Sequence, residues 1–395
     1  MERSSLLKEV PIANRAVSAE YLRWFTNVQQ IEKDASTREV CENVIKKVTV
    51  HTTLTSAGPK VTKLRYVEHA LNFPKHAAAT PRDGGGSGTI NPLCTAAAPP
   101  SSPGPVDWFV SHSWDSPWHG LVEAVESHSK TLQEDTDTES QTHASVNTRY
   151  WVDILAICQH YGTAHQTEDL PAWGTPQASD SGFAKVLKTA CESGGGLLLY
   201  YQPLLQPKAL KRVWCLYEMH QALQFKFKSA KAGVQTETIN IEMSKDDRHD
   251  FEEKMRGDNF SEINEGLCAI DARTAEATVM SDWDNIVESI LQSRNSNPEK
   301  SNHEKKIPEK NRRGFDGINT SIQNEMRRWL AVHTETLLKD VGVTKANEGT
   351  EHGFYYRRSH SPSRPSRIDE GPSPSLTPYE KLNLGDPFWE TKMDF

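Results

Sequence analysis

Glu218 closes the run Arg212-Val-Trp-Cys-Leu-Tyr-Glu218, four residues after Trp214. On a helix that spacing brings indole and carboxylate to one flank. An indole beside a carboxylate excludes water, raises the carboxyl pKa and strengthens its pull on a developing cation. The competing arrangement pairs Glu218 with Arg212 or Lys211 at the surface. Three further groups of polar and aromatic residues close apolar runs. Trp108-Phe-Val110 leads into Ser111, His112, Trp114 and Asp115. The run from Tyr150 to Ile157 carries Asp153 and stops near Gln159 and His160, and Leu197-Leu-Leu199 leads into Tyr200, Tyr201 and Gln202. If these runs are parallel strands of one sheet, their ends share an edge and their side chains line one crevice.

Other groupings fail on spacing. His112, His119, His160 and His165 with Cys158 offer no pair at zinc-site spacing on a predictable element, so no metal is expected. Ser111-His112 has no GxSxG around it, and Gly84 to Gly88 lacks the Lys-Ser/Thr of a phosphate loop.

Positioning such residues requires regular elements. Trp108 to Val110, Tyr150 to Ile157, Leu197 to Tyr201, Thr238 to Ile241 and Leu267 to Ile270 read as five short strands. Helical patterns separate them: Leu121, Val122 and Val125; Phe183, Val186, Leu187 and Ala190, ended by Gly194-Gly-Gly196; and the stretch from Val213 to Phe227. Trp283, Ile286, Val287, Ile290 and Leu291 form a closing helix. Alternation of this kind implies an α/β domain over 106–292, a doubly wound, flavodoxin-like, five-stranded parallel sheet. Phe109, Ile154 and Leu198 are expected at its centre, and 130–148 as a loop.

Flanking segments are thinner in apolar residues. Residues 1–75 read as a helical preface, with the capping box Ser36-Thr-Arg-Glu39 followed by Val40, Val44, Ile45 and Val48, and a second amphipathic stretch from Thr62 to Leu71. Residues 76–105, rich in Ala, Gly, Pro and Ser, read as a flexible linker. A polar linker with one helix (Thr320 to Leu338) is expected over 293–345, and a disordered Arg/Ser/Pro tail with phosphorylatable serines over 346–395. The chain has 395 residues and a net charge of −8, which argues against a nucleic-acid binder needing a basic face. No apolar run is long enough to span a bilayer and no secretion signal is seen. Six scattered cysteines without a CxxC pair point to reduced thiols in a cytoplasmic compartment.

Three motifs in order give the middle of the chain a family resemblance. Asp107-Trp-Phe-Val-Ser-His-Ser-Trp114, Tyr150-Trp-Val-Asp153, and Gly195-Gly-Leu-Leu-Leu-Tyr-Tyr201 followed by Val213-Trp-Cys-Leu-Tyr-Glu218 resemble the strand motifs and the WCLxE helix of TIR (Toll/interleukin-1 receptor) domains. They are most similar to an algal and protist group with F-V-S-H-x-W and V-W-C-L-Y-E. The position three before the motif Trp, often serine in the family, is Lys211. The resemblance implies an intracellular signalling module that self-associates or docks other TIR-like domains. Its alternative implication is an NAD⁺ glycohydrolase with Glu218 as catalytic carboxylate. In that case NAD⁺ is the substrate rather than a resident cofactor, and Ser111, His112, Trp114, Asp153, Tyr201 and Trp214 shape its pocket.

Overall fold

A computed structural model of the chain describes residues 9–55, 58–72, 100–137, 148–160, 169, 182–231, 239–256, 260–277, 286 and 309–348. The chain divides into a unit over Met1–Val341 and a unit over Gly342–Phe395. Of the second, only 342–348 is described, as the end of a helix. Seven strands occur among the described residues: β1 (Val17–Ser18), β2 (Val50–Thr55), β3 (Gly58–Lys63), β4 (Trp108–Ser111), β5 (Arg149–Trp151), β6 (Gly196–Tyr200) and β7 (Ile239–Glu242). The helices used below are α1 (Ala19–Val28), α2 (Thr37–Val40), α3 (Lys46–Val48), α4 (Tyr66–Asn72), α5 (Trp118–Asp137), α6 (Asp153–Ala156), α7 (Phe183–Glu192), α8 (Val213–Lys231), α9 (Lys245–Arg256), α10 (Phe260–Cys268) and α11 (Glu309–Glu348).

Strands β5, β4, β6 and β7 lie side by side in that order, each pair parallel, and β1 adds antiparallel to the outer edge of β5. The result is a mixed α/β fold with a five-stranded, mostly parallel sheet. Strand alternation divides the core in two. Trp108, Val110, Leu198 and Tyr200 face one apolar cluster, with Leu22 and Phe25 of α1, Tyr66 of α4 and Trp118 and Leu121 of α5. Phe109, Leu197 and Leu199 face the other, with Val186 and Ala190 of α7, Leu216 and Met219 of α8 and Ile322 and Met326 of α11. On this second face Phe109 stacks on Trp151 at 5.0 Å between ring centroids, and Phe183 packs edge-on against Trp151 at 5.4 Å. Burying each such ring contributes roughly 1.5–3 kcal/mol.

Local signals account for several boundaries. The Ser36 hydroxyl accepts the Glu39 N–H, while the Glu39 carboxylate accepts the Ser36 N–H at 2.8 Å, a reciprocal cap that starts α2. Helix α2 runs through a π-helical turn, Cys41–Ile45, into α3. Gly194, at φ 93°, turns the chain out of α7 in the left-handed region that glycine tolerates. At Gly195 a Cβ would stand 1.9 Å from the Asp107 carbonyl oxygen, so β6 can enter beside β4 only without a side chain there.

Several expectations change. The run Leu267 to Ile270 is not a strand: α10 covers Phe260–Cys268, and its buried Ile263 and Leu267 are a helical turn apart. The fifth strand is β1, so the sheet is not wholly parallel. The second parallel strand is also shorter than expected, because Asp153–Ala156 turns into α6; Ile154 is buried as anticipated, but on that turn, alongside buried Phe109 and Leu198 on strands. Helix α5 extends to Asp137 where a loop was expected. Thr62 belongs to β3, with a helix only from Tyr66. Residues 100–105 are built into the fold, with Gly104 bridging Ala16 and Ser101 bonded to Ser18. Of the expected closing helix only Ile286, buried, is described. The linker over 76–99 and the tail beyond 348 lie outside the described residues. The four described free cysteines, Cys41, Cys158, Cys191 and Cys215, are all buried. Among the described residues no helix is long and apolar enough to cross a membrane.

Candidate active site

The candidate residues meet where the end of β4 lies against α8. Ser111, the last residue of β4, donates its hydroxyl to Glu218 Oε2 at 2.6 Å. Glu218 is only 9% exposed, so the surface pairing with Arg212 or Lys211 is not what the chain adopts. Its carboxyl is pushed up to about 8, chiefly because burial penalises the charged form; the nearby Asp153 adds to the rise and the Ser111 hydroxyl opposes it. One turn before it on the helix, Cys215 is buried with its sulfur 3.4 Å from the His112 carbonyl oxygen, and burial pushes this thiol up as well. The thiol is therefore a packing group at neutral pH and not a nucleophile.

A second cluster lies beside the first. The Trp114 indole donates to Asp153 Oδ2 at 2.7 Å, and Asp153 Oδ1 accepts the N–H of Ile154, also at 2.7 Å. These bonds fix the carboxylate at the start of α6. His112 Nε2 stands 3.7 Å from Asp153 Oδ1, too far for a hydrogen bond, and has no hydrogen-bond partner. Burial holds the His112 imidazole below its ordinary pKa, against the pull of Asp153, so it is neutral at pH 7. The cluster thus combines a carboxyl that sheds its proton near pH 8, a fixed carboxylate and a neutral imidazole.

Five of the seven expected residues come together: Ser111, His112, Trp114, Asp153 and Glu218. Tyr201 is taken up by the core, its ring 5.7 Å from that of Trp329 on α11 and its N–H bonded to the Glu242 carbonyl. Trp214 is half-buried with its ring 5.4 Å from that of Phe183, on the aromatic stack behind the sheet. Sequence reasoning missed Arg38 altogether. The N-terminal segment crosses the loop after β4, where Arg38 N–H bonds the Trp114 carbonyl, Thr37 N–H bonds the Ser116 carbonyl, and the Arg38 guanidinium lies 5.8 Å from the centroid of the Trp114 ring. The capping box announced the helix at this position but said nothing of where it would dock.

Comparison with protein-family models, curated proteins and solved structures finds no match.

Proposed function

We propose that the chain is a TIR-like module that hydrolyses NAD⁺ at the nicotinamide–ribose bond, with Glu218 as the catalytic carboxylate. The observation that carries this reading is the buried Glu218 carboxyl held by Ser111 at the carboxyl end of β4. The parallel strand order β5-β4-β6-β7 and the division of the core between two faces support the flavodoxin-like, doubly wound reading. That class binds ligands beyond the strand ends, at the point where strand order reverses. In this strand order that point lies between the ends of β4 and β6.

In the reaction the C–N glycosidic bond breaks and its electron pair leaves with nicotinamide. Positive charge develops on the ribose, water adds to it, and one proton is released with ADP-ribose. An ionised Glu218 in a dry crevice stabilises the cation far better than it would in water. Burial holds Glu218 mostly protonated in the free protein at pH 7, and the positive pyridinium of the substrate favours ionisation as it binds. Ser111 aims the carboxylate, and Trp114 keeps Asp153 turned to one side. The test incubates the concentrated full-length chain with NAD⁺ and measures released nicotinamide. A folded protein that releases none, alone or at high concentration, removes the hydrolase reading and leaves a module that self-associates or docks other TIR-like domains.

A further inference from the structure

Cations from two separate stretches of chain gather around Asp115, next to Trp114. Arg38, on α2, bonds Asp115 Oδ1 through Nε at 2.9 Å, and both side chains are open to solvent at 36% and 47%. Its two terminal NH₂ groups hold no hydrogen bond among the described residues. Lys208, in the segment between β6 and α8, donates to the Asp115 carbonyl oxygen at 2.5 Å and uses one of its three donors there. Arg212 is the third cation near Asp115, and together the three hold the Asp115 carboxyl below its ordinary range. Next to Asp115 in the chain, Trp114 bonds Asp153, beside which stands the His112 imidazole, whose side chain is 2% exposed and whose Nε2 lacks a partner.

We propose that Arg38 and Lys208 form a subsite for the diphosphate of a nucleotide, so the crevice is completed by the N-terminal segment and not by 106–292 alone. The proposal rests on the nucleotide reading of the crevice given above. A diphosphate presents several acceptor oxygens and at least two charges. A guanidinium fork on one side and a point-charge ammonium on the other match that distribution. The single Asp115 carboxylate neutralises only part of the positive charge and competes with the ligand for Arg38. The backbone bonds from Thr37 and Arg38 to the loop after β4 keep the Arg38 main chain beside Asp115 whether or not that ion pair persists.

Calorimetric titration of the full-length chain with ADP, inorganic pyrophosphate and adenosine tests this at low ionic strength. ADP is expected to bind at least tenfold more tightly than adenosine. Arg38→Gln should remove about tenfold of the ADP affinity, the loss of one charge-assisted contact, and leave adenosine binding unchanged. Asp115→Asn should tighten ADP binding, an effect that a purely structural ion pair would not produce. Should Arg38→Gln fail to fold, Lys208→Gln and Asp115→Asn carry the same test. ADP binding no tighter than adenosine, or unaffected by these changes, overturns the subsite; pyrophosphate binding as tightly as ADP overturns the nucleotide class. The outcomes separate from those of the hydrolase reading. ADP binding without nicotinamide release removes the hydrolase and keeps the subsite, whereas nicotinamide release with KM unchanged in Arg38→Gln does the reverse.

Discussion

Two buried carboxylates in this molecule have opposite surroundings. Asp169 is 1% exposed and accepts from Arg15 Nη1 at 2.6 Å, from Arg65 Nε and Nη2, and from the Cys158 N–H at 3.0 Å. Arg65 also bonds Glu68, which accepts the Val10 N–H, so two guanidiniums and two carboxylates balance in one buried cluster. Glu218 has one neutral hydroxyl for a partner and another carboxylate nearby. A buried charge met by two cations and a backbone N–H is structural, and removing it strands its partners. One held by a single hydroxyl is weakly compensated and therefore ready to interact with a ligand. The two are connected: Arg15 also bonds the Ala156 carbonyl and Asp169 holds Cys158 N–H, which locks the turn that begins at Asp153.

The contrast is broken most directly at Asp169. Asp169→Ala should cost about 3–5 kcal/mol in urea unfolding, because it leaves two buried guanidiniums under-compensated. A loss below 1 kcal/mol would mean that the cluster is not structural. Glu218→Gln should invert this pattern. Nicotinamide release should fall roughly a hundredfold or more, the range seen when a main electrostatic group is removed. Its stability should hold, and should exceed wild type in alkaline solution. The sign follows from linkage: the folded carboxyl at about 8 lies above its unfolded value of 4.5, so its stabilisation is complete below 4.5 and lost as pH rises towards 8. Unfolding curves for both proteins at pH 5 and pH 9 measure the divergence, expected at a few kcal/mol.

The same shift predicts that kcat/KM climbs with pH, up to about tenfold per unit, and levels off above about 8 as the free protein ionises Glu218. A flat profile from pH 6 to 9 would detach Glu218 from the rate. Ser111→Ala gives the smallest effect. Losing the hydroxyl that opposes the upward shift moves the profile to higher pH, with activity about five- to tenfold lower at pH 7, from roughly 1 kcal/mol. Activity should converge with wild type at pH 9 or above; a uniform loss at all pH values would instead assign Ser111 to substrate contact.

Parts of this were legible in the residues. The capping box at Ser36, the glycines after α7 and the apolar runs of β4 and β6 are local, and their outcome depends on neighbours a few positions away. The approach of β4, Asp153 and Glu218 follows from putting parallel strand ends on one edge. The errors came where a run was short. Leu267 to Ile270 is equally compatible with strand and helix, and burial of Ile263 and Leu267 on one side settles it as a helix. Trp214 and Tyr201, both expected in the crevice, are aromatic residues near strand and helix ends that the core used instead.

Which residues can do chemistry, a carboxylate on an amphipathic helix and hydroxyl, imidazole and indole groups after a strand, can be read from the chain's residues alone, because residue type and period are local properties. Tertiary structure alone decided which of them meet. Ser111 and Glu218 are 107 positions apart, Arg65 and Asp169 are 104 apart, and a two-residue strand at Val17–Ser18 delivers the N-terminal segment to the sheet edge. No periodicity encodes such pairs. They form because the packed sheet and helices leave each buried polar group only a few partners within reach, and a group left without one would cost more than the fold can spare.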